Sequence, residues 1–376
     1  LPTWDLLAAS GHVELHMVYC AGAHIDPSQD GRSSRYRVHF LKGRYDIHDT
    51  RFSHADPGVW RLLNSIQPDV VVTSGFIPTF LFAFAWAVTH RVPHVTMTDG
   101  TLESERGLSW KHRLVRRFVF SLTKSFVGAC QGSTDLYLSY GLSRERIHVA
   151  ALCTDNSRFA SVAVPRNQDL LFCGRFIASK NPLLAIRVAS LAAQRLRRRL
   201  VLRFVGKGDM EPAMRQMAQE VSEWVDVSFA GYLSQAELPL EYAASRVFLF
   251  PTSLDCWGVV ANEACAAGMP CVVSPHTGVV DELIQDGVTG FVCPLDEAMW
   301  VDRVVQLLTD DALWQSMSLA ARREVDFTRE IVYPVDVGNV HAHMVLINGV
   351  QRLYGVTPPR VAKSQAELLE GLALIE

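Results

Sequence analysis

The chain has 376 residues, 49 % of them apolar and 20 % charged, with a formal net charge of −3 and a pI near 6.5. That length predicts two domains of ordinary size, each able to bury its own core, and the charge balance excludes a basic nucleic-acid binder. The eight cysteines form no CxxC pair and sit mostly in apolar runs, which excludes a zinc ribbon or a disulfide scaffold and predicts buried thiols in a reducing compartment.

No apolar run is long enough to span a bilayer, and no leader pattern opens the chain. Residues 4–10 read as the end of a helix closed by Gly11, and Val13–Tyr19 alternates as a strand. A doubly wound domain begins with a strand and a glycine-rich turn ahead of such a helix. Neither precedes Trp4, so the first strand of the amino-terminal domain is expected to be missing, and an upstream piece of the chain with it. His24–Ser34 is turn-rich, Arg37–Leu41 reads as a strand, and the stretch to Pro57 reads as a loop in which His48 and His54 are loop histidines. Then come a helix over Val59–Ile66, a strand over Val70–Thr73, an apolar core helix over Thr79–Val88 and a strand over Val92–Met97 that ends at Thr98-Asp99-Gly100. Asp99, at a strand's carboxyl end, has two open readings: a turn residue capping Gly100, or a side chain facing a cleft. Ser109–Ser125 is a basic amphipathic helix in which Lys111, Arg113, Arg116, Arg117 and Lys124 accompany Trp110, Leu114, Phe118 and Phe120. Such a face suits an anionic membrane surface or plain solvent equally well. A strand over Phe126–Ala129, a helix over Ser133–Tyr140 and a strand over Ile147–Ala150 follow, with the interdomain linker placed at Arg158–Asn167.

The second half opens with a strand, Leu170–Cys173, that feeds Gly174-Arg175 and then Lys180-Asn181; Pro182 starts a helix to Leu196. Arg175 and Lys180 are two cations on one strand-to-helix loop, spaced for a diphosphate, with Arg as a planar fork and Lys as a point charge. Strand Leu200–Val205 leads to Gly206-Lys207-Gly208, a turn that lets backbone approach a ligand. Strand Val225–Phe229 leads to Gly231-Tyr232-Leu233. Strand Val247–Phe250 is broken by Pro251, and a helix of small residues runs from Gly258 to a Gly268-Met269-Pro270 stop. Asp255 lies in the loop and Glu263 about a turn and a half into the helix, a spacing that lets both carboxylates face one crevice. The helix amino end at Gly258, Val259 and Val260 offers N–H groups to a phosphate, and a carboxylate just beyond it suits a ribose diol. Strand Cys271–Val273, helices around Trp300 to Leu308 and over Ala312–Val325, and a long helix over Val332–Tyr354 complete the reading; 357–376 is a tail without assignment.

One long run stands out: Asp255, Gly258, Glu263-Ala264, Ala267-Gly268-Met269-Pro270, Cys271-Val272-Val273-Ser274, Gly278, Glu282 and Asp286-Gly287-x-x-Gly290-Phe291-Val292. With Gly174-Arg175 and Lys180-Asn181 upstream, it resembles the nucleotide-sugar site of the family 4 retaining glycosyltransferases, the glycosyl transferases group 1. Asp255 stands where that family has the first Glu of its paired glutamates. The resemblance implies an α/β GT-B fold of two Rossmann-like doubly wound parallel-sheet domains facing across a cleft. Its domains would be an acceptor-side domain over 1–160, a nucleotide-sugar domain over 161–330, and a helix within 331–356 crossing back to the first. It implies a metal-independent, retaining hexosyltransferase with no cofactor, which takes sugar from a UDP- or GDP-linked donor. The hydroxyl acceptor would be a saccharide or a lipid-linked compound in cell-envelope polysaccharide, glycolipid or glycoconjugate synthesis. By the same resemblance Arg175 and Lys180 hold the diphosphate, Glu263 the ribose and Asp255 the sugar hydroxyls. Gly174, Gly206, Gly208 and Gly258 to Val260 bring backbone to the donor, Tyr232 and Leu233 read the base, and Asp99 faces the acceptor. The expected location is the cytoplasm, at the inner face of the cell membrane where 109–125 meets lipid. Two other readings fit the same residues: a sugar-nucleotide epimerase of similar architecture, and a non-catalytic nucleotide-sugar-binding protein.

Overall fold

A computed structural model describes residues 8, 13–20, 36–48, 51–150, 154–326 and 342–348. They fall into two compact units, one formed by Leu1–Leu152 with Arg329–Glu376 and the other by Cys153–Thr328.

The first unit contains β1 (Val13–Tyr19), β2 (Arg37–Phe40), β3 (Arg44–His48), β4 (Arg51–Ala55), β5 (Val70–Thr73), β6 (His94–Thr98), β7 (Ser125–Gly128) and β8 (Ile147–Val149). Helices Gly58–Ile66, Pro78–His90, Trp110–Leu122 and Gln131–Ser139 alternate with the later strands. Strands β5 and β7 are buried along their whole length, the signature of a parallel sheet covered on both faces. Val18, Leu63, Val71, Phe80 and Trp86 pack into one cluster on one of those faces. The stretch before Pro57 is not the expected loop: β3 and β4 form an antiparallel hairpin from Arg44↔Ala55 to His48↔Arg51. Its strands are too rich in polar side chains for hydrophobic alternation to reveal them. His54 is consequently a core residue, 1 % exposed, with Thr79 Oγ1 2.7 Å from its Nδ1.

The second unit contains β9 (Gln168–Cys173), β10 (Leu200–Val205), β11 (Val225–Phe229), β12 (Ser245–Phe250), β13 (Cys271–Val273) and β14 (Gly290–Val292). They form one sheet in the order β11-β10-β9-β12-β13-β14, every pair parallel. Chain order reverses between β9 and β12, so this is a doubly wound sheet with its switch point there. Phe172, Phe204, Val247, Val272 and Trp300 lie in one core cluster, each under 2 % exposed. Each such side chain contributes roughly 1.5–3 kcal/mol by leaving water.

The last described strand, β15 (Ala342–Asn348), returns to the first unit. It pairs in parallel with β1 along its whole length and with β5 from Met344 to Ile347, giving the order β2-β1-β15-β5-β6-β7-β8. This corrects the expected helix over Val332–Tyr354, whose central residues are extended; the rest of that span and the 357–376 tail lie outside the described residues. A short apolar run such as Met344–Ile347 is compatible with either structure, and here two flanking strands decide it. The slot expected to be empty is filled. Of the helix expected over 4–10, only Ala8 is described, and it is helical.

Candidate active site

The switch point of the second unit brings together the loops that leave β9 and β12. They are tied by backbone and side chain: Ser253 N–H donates to Ser179 O at 2.7 Å, and Asn181 Nδ2 donates to Pro251 O at 2.9 Å. Asn181, with φ +48°, ends the turn Ala178–Lys180 and opens the helix Pro182–Leu196. That tight turn aims Lys180 at the neighbouring loop.

Lys180 Nζ donates to three acceptors there: Asp255 Oδ2 at 2.5 Å, Leu254 O at 3.2 Å and Thr252 Oγ1 at 3.3 Å. It also lies 5.5 Å from the Phe250 ring centroid. An ammonium has three donors, and all three are satisfied. The Lys180 side chain is 12 % exposed and that of Asp255 25 %, so the pair is largely withdrawn from water. Asp255 is fixed from its other side as well. Its Oδ1 accepts the Trp257 N–H at 3.1 Å, its N–H donates to His276 O at 2.9 Å, and its carbonyl accepts Gly278 N–H at 3.1 Å.

Three residues on, Gly258 has φ +107°, and a Cβ there would stand 2.8 Å from both the Phe250 ring and Thr277 Oγ1. Only glycine fits. The helix Val259–Ala266 starts at this point with no side-chain cap. Its first-turn N–H groups and positive dipole end therefore open onto the loop that carries Asp255. Glu263, farther along the helix, is 2 % exposed, and its Oε2 accepts the Tyr242 hydroxyl at 2.8 Å. Burial pushes the Tyr242 phenol well above its ordinary pKa. The Cys173 thiol, the last residue of β9, is pushed up to about 12, first by burial and then by the Glu263 charge. Glu263 thus packs against the end of β9 rather than lying open to solvent.

Glycine backbone builds the adjoining wall. Gly174 N–H donates to Val205 O at 2.9 Å, Phe176 N–H to Lys207 O at 3.0 Å and Gly206 N–H to Gly231 O at 2.8 Å. A side chain at Gly206 would collide with Gly174 O, and one at Gly208 with the Phe176 backbone. Arg175, Tyr232 and Leu233 are half-buried on these loops. All the sequence-derived candidates in this unit therefore stand on loops or a helix turn at the carboxyl ends of its strands. Asp99 belongs to the other unit; it is exposed after β6, next to a turn in which Gly100 N–H donates to Thr98 Oγ1 at 3.0 Å. Sequence reasoning missed Thr252 and Tyr242. Thr252 is fully buried and orients Lys180, and its only signal was the turn chemistry of Pro251-Thr252-Ser253. Tyr242 sits in an unremarkable helix, Leu238–Ala244.

Two doubly wound parallel-sheet units, one of them gathering glycine-rich loops, an Arg and a Lys at its switch point, are the architecture of the GT-B fold class. The family described as glycosyl transferases group 1 matches residues 154–324, and glycosyltransferase family 4 matches residues 6–158. The chain belongs to this family. It is 27 % identical to a glycogen synthase of Mycobacterium tuberculosis over 354 residues, covering 85 % of this chain and 83 % of that protein. A D-inositol 3-phosphate glycosyltransferase of Corynebacterium diphtheriae is 41 % identical over 86 residues, 23 % of this chain and 20 % of that protein. Among solved structures, Anabaena HepE in complex with UDP matches with a TM-score of 0.65 at 14 % identity, over 84 % of this chain and 95 % of that one. WaaG, a glycosyltransferase involved in lipopolysaccharide biosynthesis, matches with a TM-score of 0.61 at 16 % identity, over 86 % and 90 %.

Proposed function

We propose that this glycosyltransferase moves a hexose-type sugar, with retention and without a metal ion, from a UDP- or GDP-linked donor to a hydroxyl acceptor. The acceptor would be a saccharide or lipid-linked compound of the cell envelope, and the work would be done at the cytoplasmic face of the membrane. The observation that carries the reading is the Lys180–Asp255 pair, 2.5 Å apart, set next to an uncapped helix terminus at the switch point. An anionic diphosphate entering there meets the Lys180 ammonium and the first-turn N–H groups of Val259 and Val260, with the Arg175 fork on the same loop as Lys180. These groups stabilise the charge that develops as the bond between sugar and phosphate breaks, which is the role a metal ion plays elsewhere. Asp255, released in part from Lys180 by the phosphate, accepts a sugar hydroxyl; Glu263 accepts the ribose. The acceptor oxygen bonds to the anomeric carbon on the face the diphosphate leaves, and its proton passes to the departing diphosphate oxygen. Lys180→Ala should lower turnover by about two orders of magnitude, the scale of roughly 3 kcal/mol for one lost oxyanion contact, with the second unit still unfolding in one cooperative transition at a lowered midpoint. Unchanged turnover removes Lys180 from the mechanism, and a panel of UDP- and GDP-sugars scored for hydrolysis and transfer identifies the donor.

Support for the membrane face comes from the helix Trp110–Leu122. Trp110, Leu114 and Phe118 are 70, 59 and 61 % exposed, four residues apart on one outward stripe with Leu122. Lys111, Arg113 and Arg117 accompany them, and no acidic residue occurs between 109 and 125. Arg116 alone turns inward, to an ion pair with Glu105 and onto the Phe76 ring at 4.7 Å. An apolar stripe rimmed by cations suits the headgroup region of an anionic bilayer. Co-sedimentation with phosphatidylglycerol vesicles, and its loss in neutral phosphatidylcholine, is the test; equal recovery with both refutes it.

A further inference from the structure

We infer that Ala342–Asn348 is a displaced switch strand: the slot between β1 and β5 is a strand-binding site of the first unit, occupied by this chain's own late segment. The order β2-β1-β15-β5-β6-β7-β8 is wholly parallel. Doubly wound sheets run outward in both directions from their first strand, in the order 3-2-1-4-5-6. If β15 is counted first, the described strands of this seven-stranded sheet run outward in chain order in both directions, with the β3–β4 hairpin standing apart; counted where it stands in the chain, β15 is the one described strand of the sheet out of place. The register is as complete as the order. Val13 to Tyr19 pair one by one with Ala342 to Asn348, and Val70 to Thr73 with Met344 to Ile347.

Physical chemistry explains why the slot needs an occupant. Leu15, Met17, Val18 and Val71 are fully buried, and β5 is buried along its whole length. Strands covered on both faces cannot satisfy an open row of N–H and C=O groups with water, and each orphaned group costs free energy. The occupant must supply a parallel ladder to both neighbours and apolar side chains to both faces. The backbone of Ala342–Asn348 supplies both ladders, and Met344–Ile347 is the apolar run within its sequence. Joining parallel neighbours takes a dozen or more residues; residues 349–376 followed by 1–12 exceed that, so the strand's position in the chain can be exchanged for the family-like one. The consequence for binding is local. The crevice of a doubly wound sheet opens at the carboxyl end of its switch strand, which puts it at Asn348, paired with Tyr19, and at Thr73, paired with Ile347.

The test compares four full-length-derived proteins by hydrogen exchange of the β1 and β5 amides. These are the chain itself, a chain ending at 348, a chain ending at 341, and a rearranged chain in which 342–376 precede Leu1. The first two and the rearranged chain should protect Leu15, Met17, Val71 and Val72 alike. The chain ending at 341 should lose that protection at least a hundredfold while β9 and β12 in the second unit keep theirs. Val345→Pro in the full chain, which deletes a ladder N–H in a central strand, should reproduce the loss if the shortest chain fails to accumulate. Protection unchanged by truncation at 341 or by Val345→Pro overturns the assignment, and so does a rearranged chain that does not fold. A dimer exchanging the strand between copies, seen as a doubled mass by light scattering, overturns the occupant named here. These readouts concern the first unit's sheet alone, so their outcome is independent of sugar transfer.

Discussion

Replacing Asp255 by Asn removes one charge from the Lys180 pair while keeping its shape. Removing one partner of a buried ion pair costs roughly 3–5 kcal/mol, because the remaining charge is left uncompensated. Here the pair keeps some contact with water, at 12 and 25 % exposure, and Lys180 keeps Leu254 O and Thr252 Oγ1 as acceptors. The expected loss is therefore about 2 kcal/mol. For a unit of this size that lowers its melting midpoint by about 4–8 °C. A nucleoside diphosphate at about one hundred times its Kd restores about 2.7 kcal/mol by mass action, and it also supplies the anion that Lys180 has lost. The thermal shift produced by UDP or GDP should accordingly be larger in Asp255→Asn than in the unaltered protein. Transfer should separate from binding: turnover falls at least about tenfold, the weight of one lost charged hydrogen bond to a sugar hydroxyl, while the donor KM changes less. Differential scanning fluorimetry with and without nucleotide, followed by steady-state kinetics, reads both. A midpoint within a degree of the parent together with unaltered turnover would refute the idea that this pair organises the site.

Gly258→Ala should cost roughly 1–3 kcal/mol, because alanine resists φ +107° and its methyl meets the Phe250 ring and Thr277 hydroxyl; urea titration measures it, and nucleotide affinity should fall with it. Trp110→Ser with Phe118→Ser should weaken binding to anionic vesicles by about a hundred- to ten-thousandfold, given roughly 1.5–3 kcal/mol for each of the two large apolar side chains transferred, without moving the midpoint of the first unit. The first unit should also lose stability in mild acid. Burial lowers the His94 imidazole to about 3, held between Thr73 and Thr123 hydroxyls at 3.0 and 2.8 Å. The unfolded chain then binds a proton near pH 6.5 that the fold refuses, so this contribution is whole above that pH and shrinks as pH falls toward 3. By pH 5 the loss is about 2 kcal/mol. Burial lowers His39, His54 and His148 in the same direction, whereas Glu105, raised by burial, works against it. Denaturant midpoints at pH 7 and pH 5 measure the slope, and His94→Gln should flatten most of it.

The second unit was legible almost residue by residue. Pro182–Leu196, Leu200–Val205, Val225–Phe229 and Cys271–Val273 stand where apolar runs and Gly-Pro punctuation place them. Fully buried parallel strands leave unbroken apolar runs, and loops at their carboxyl ends collect glycine for steric reasons; both leave marks in one-dimensional sequence. What pairs across the fold left none. Lys180 and Asp255 were each singled out, but as binders of phosphate and sugar, and nothing in the intervening chain announces that they bind each other. Tyr242, which holds Glu263, lies on a helix whose pattern only says that it packs. The hairpin Arg44–Ala55 was hidden by polar side chains, and Ala342–Asn348 by the ambiguity of a short apolar run. In both cases the deciding partner is supplied by another segment, which local periodicity does not register.

The late strand also imposes a timetable on synthesis. The second unit is one continuous segment, Cys153–Thr328, and can close as soon as it leaves the ribosome, whereas β1 must wait for a neighbour more than three hundred residues behind it. Contacts of such long sequence separation form slowly, and unpaired apolar strand edges invite aggregation in the interval. Nascent chains should therefore offer β1 and β5 to chaperones until β15 has been made, and the second unit should be the first to acquire native protease resistance.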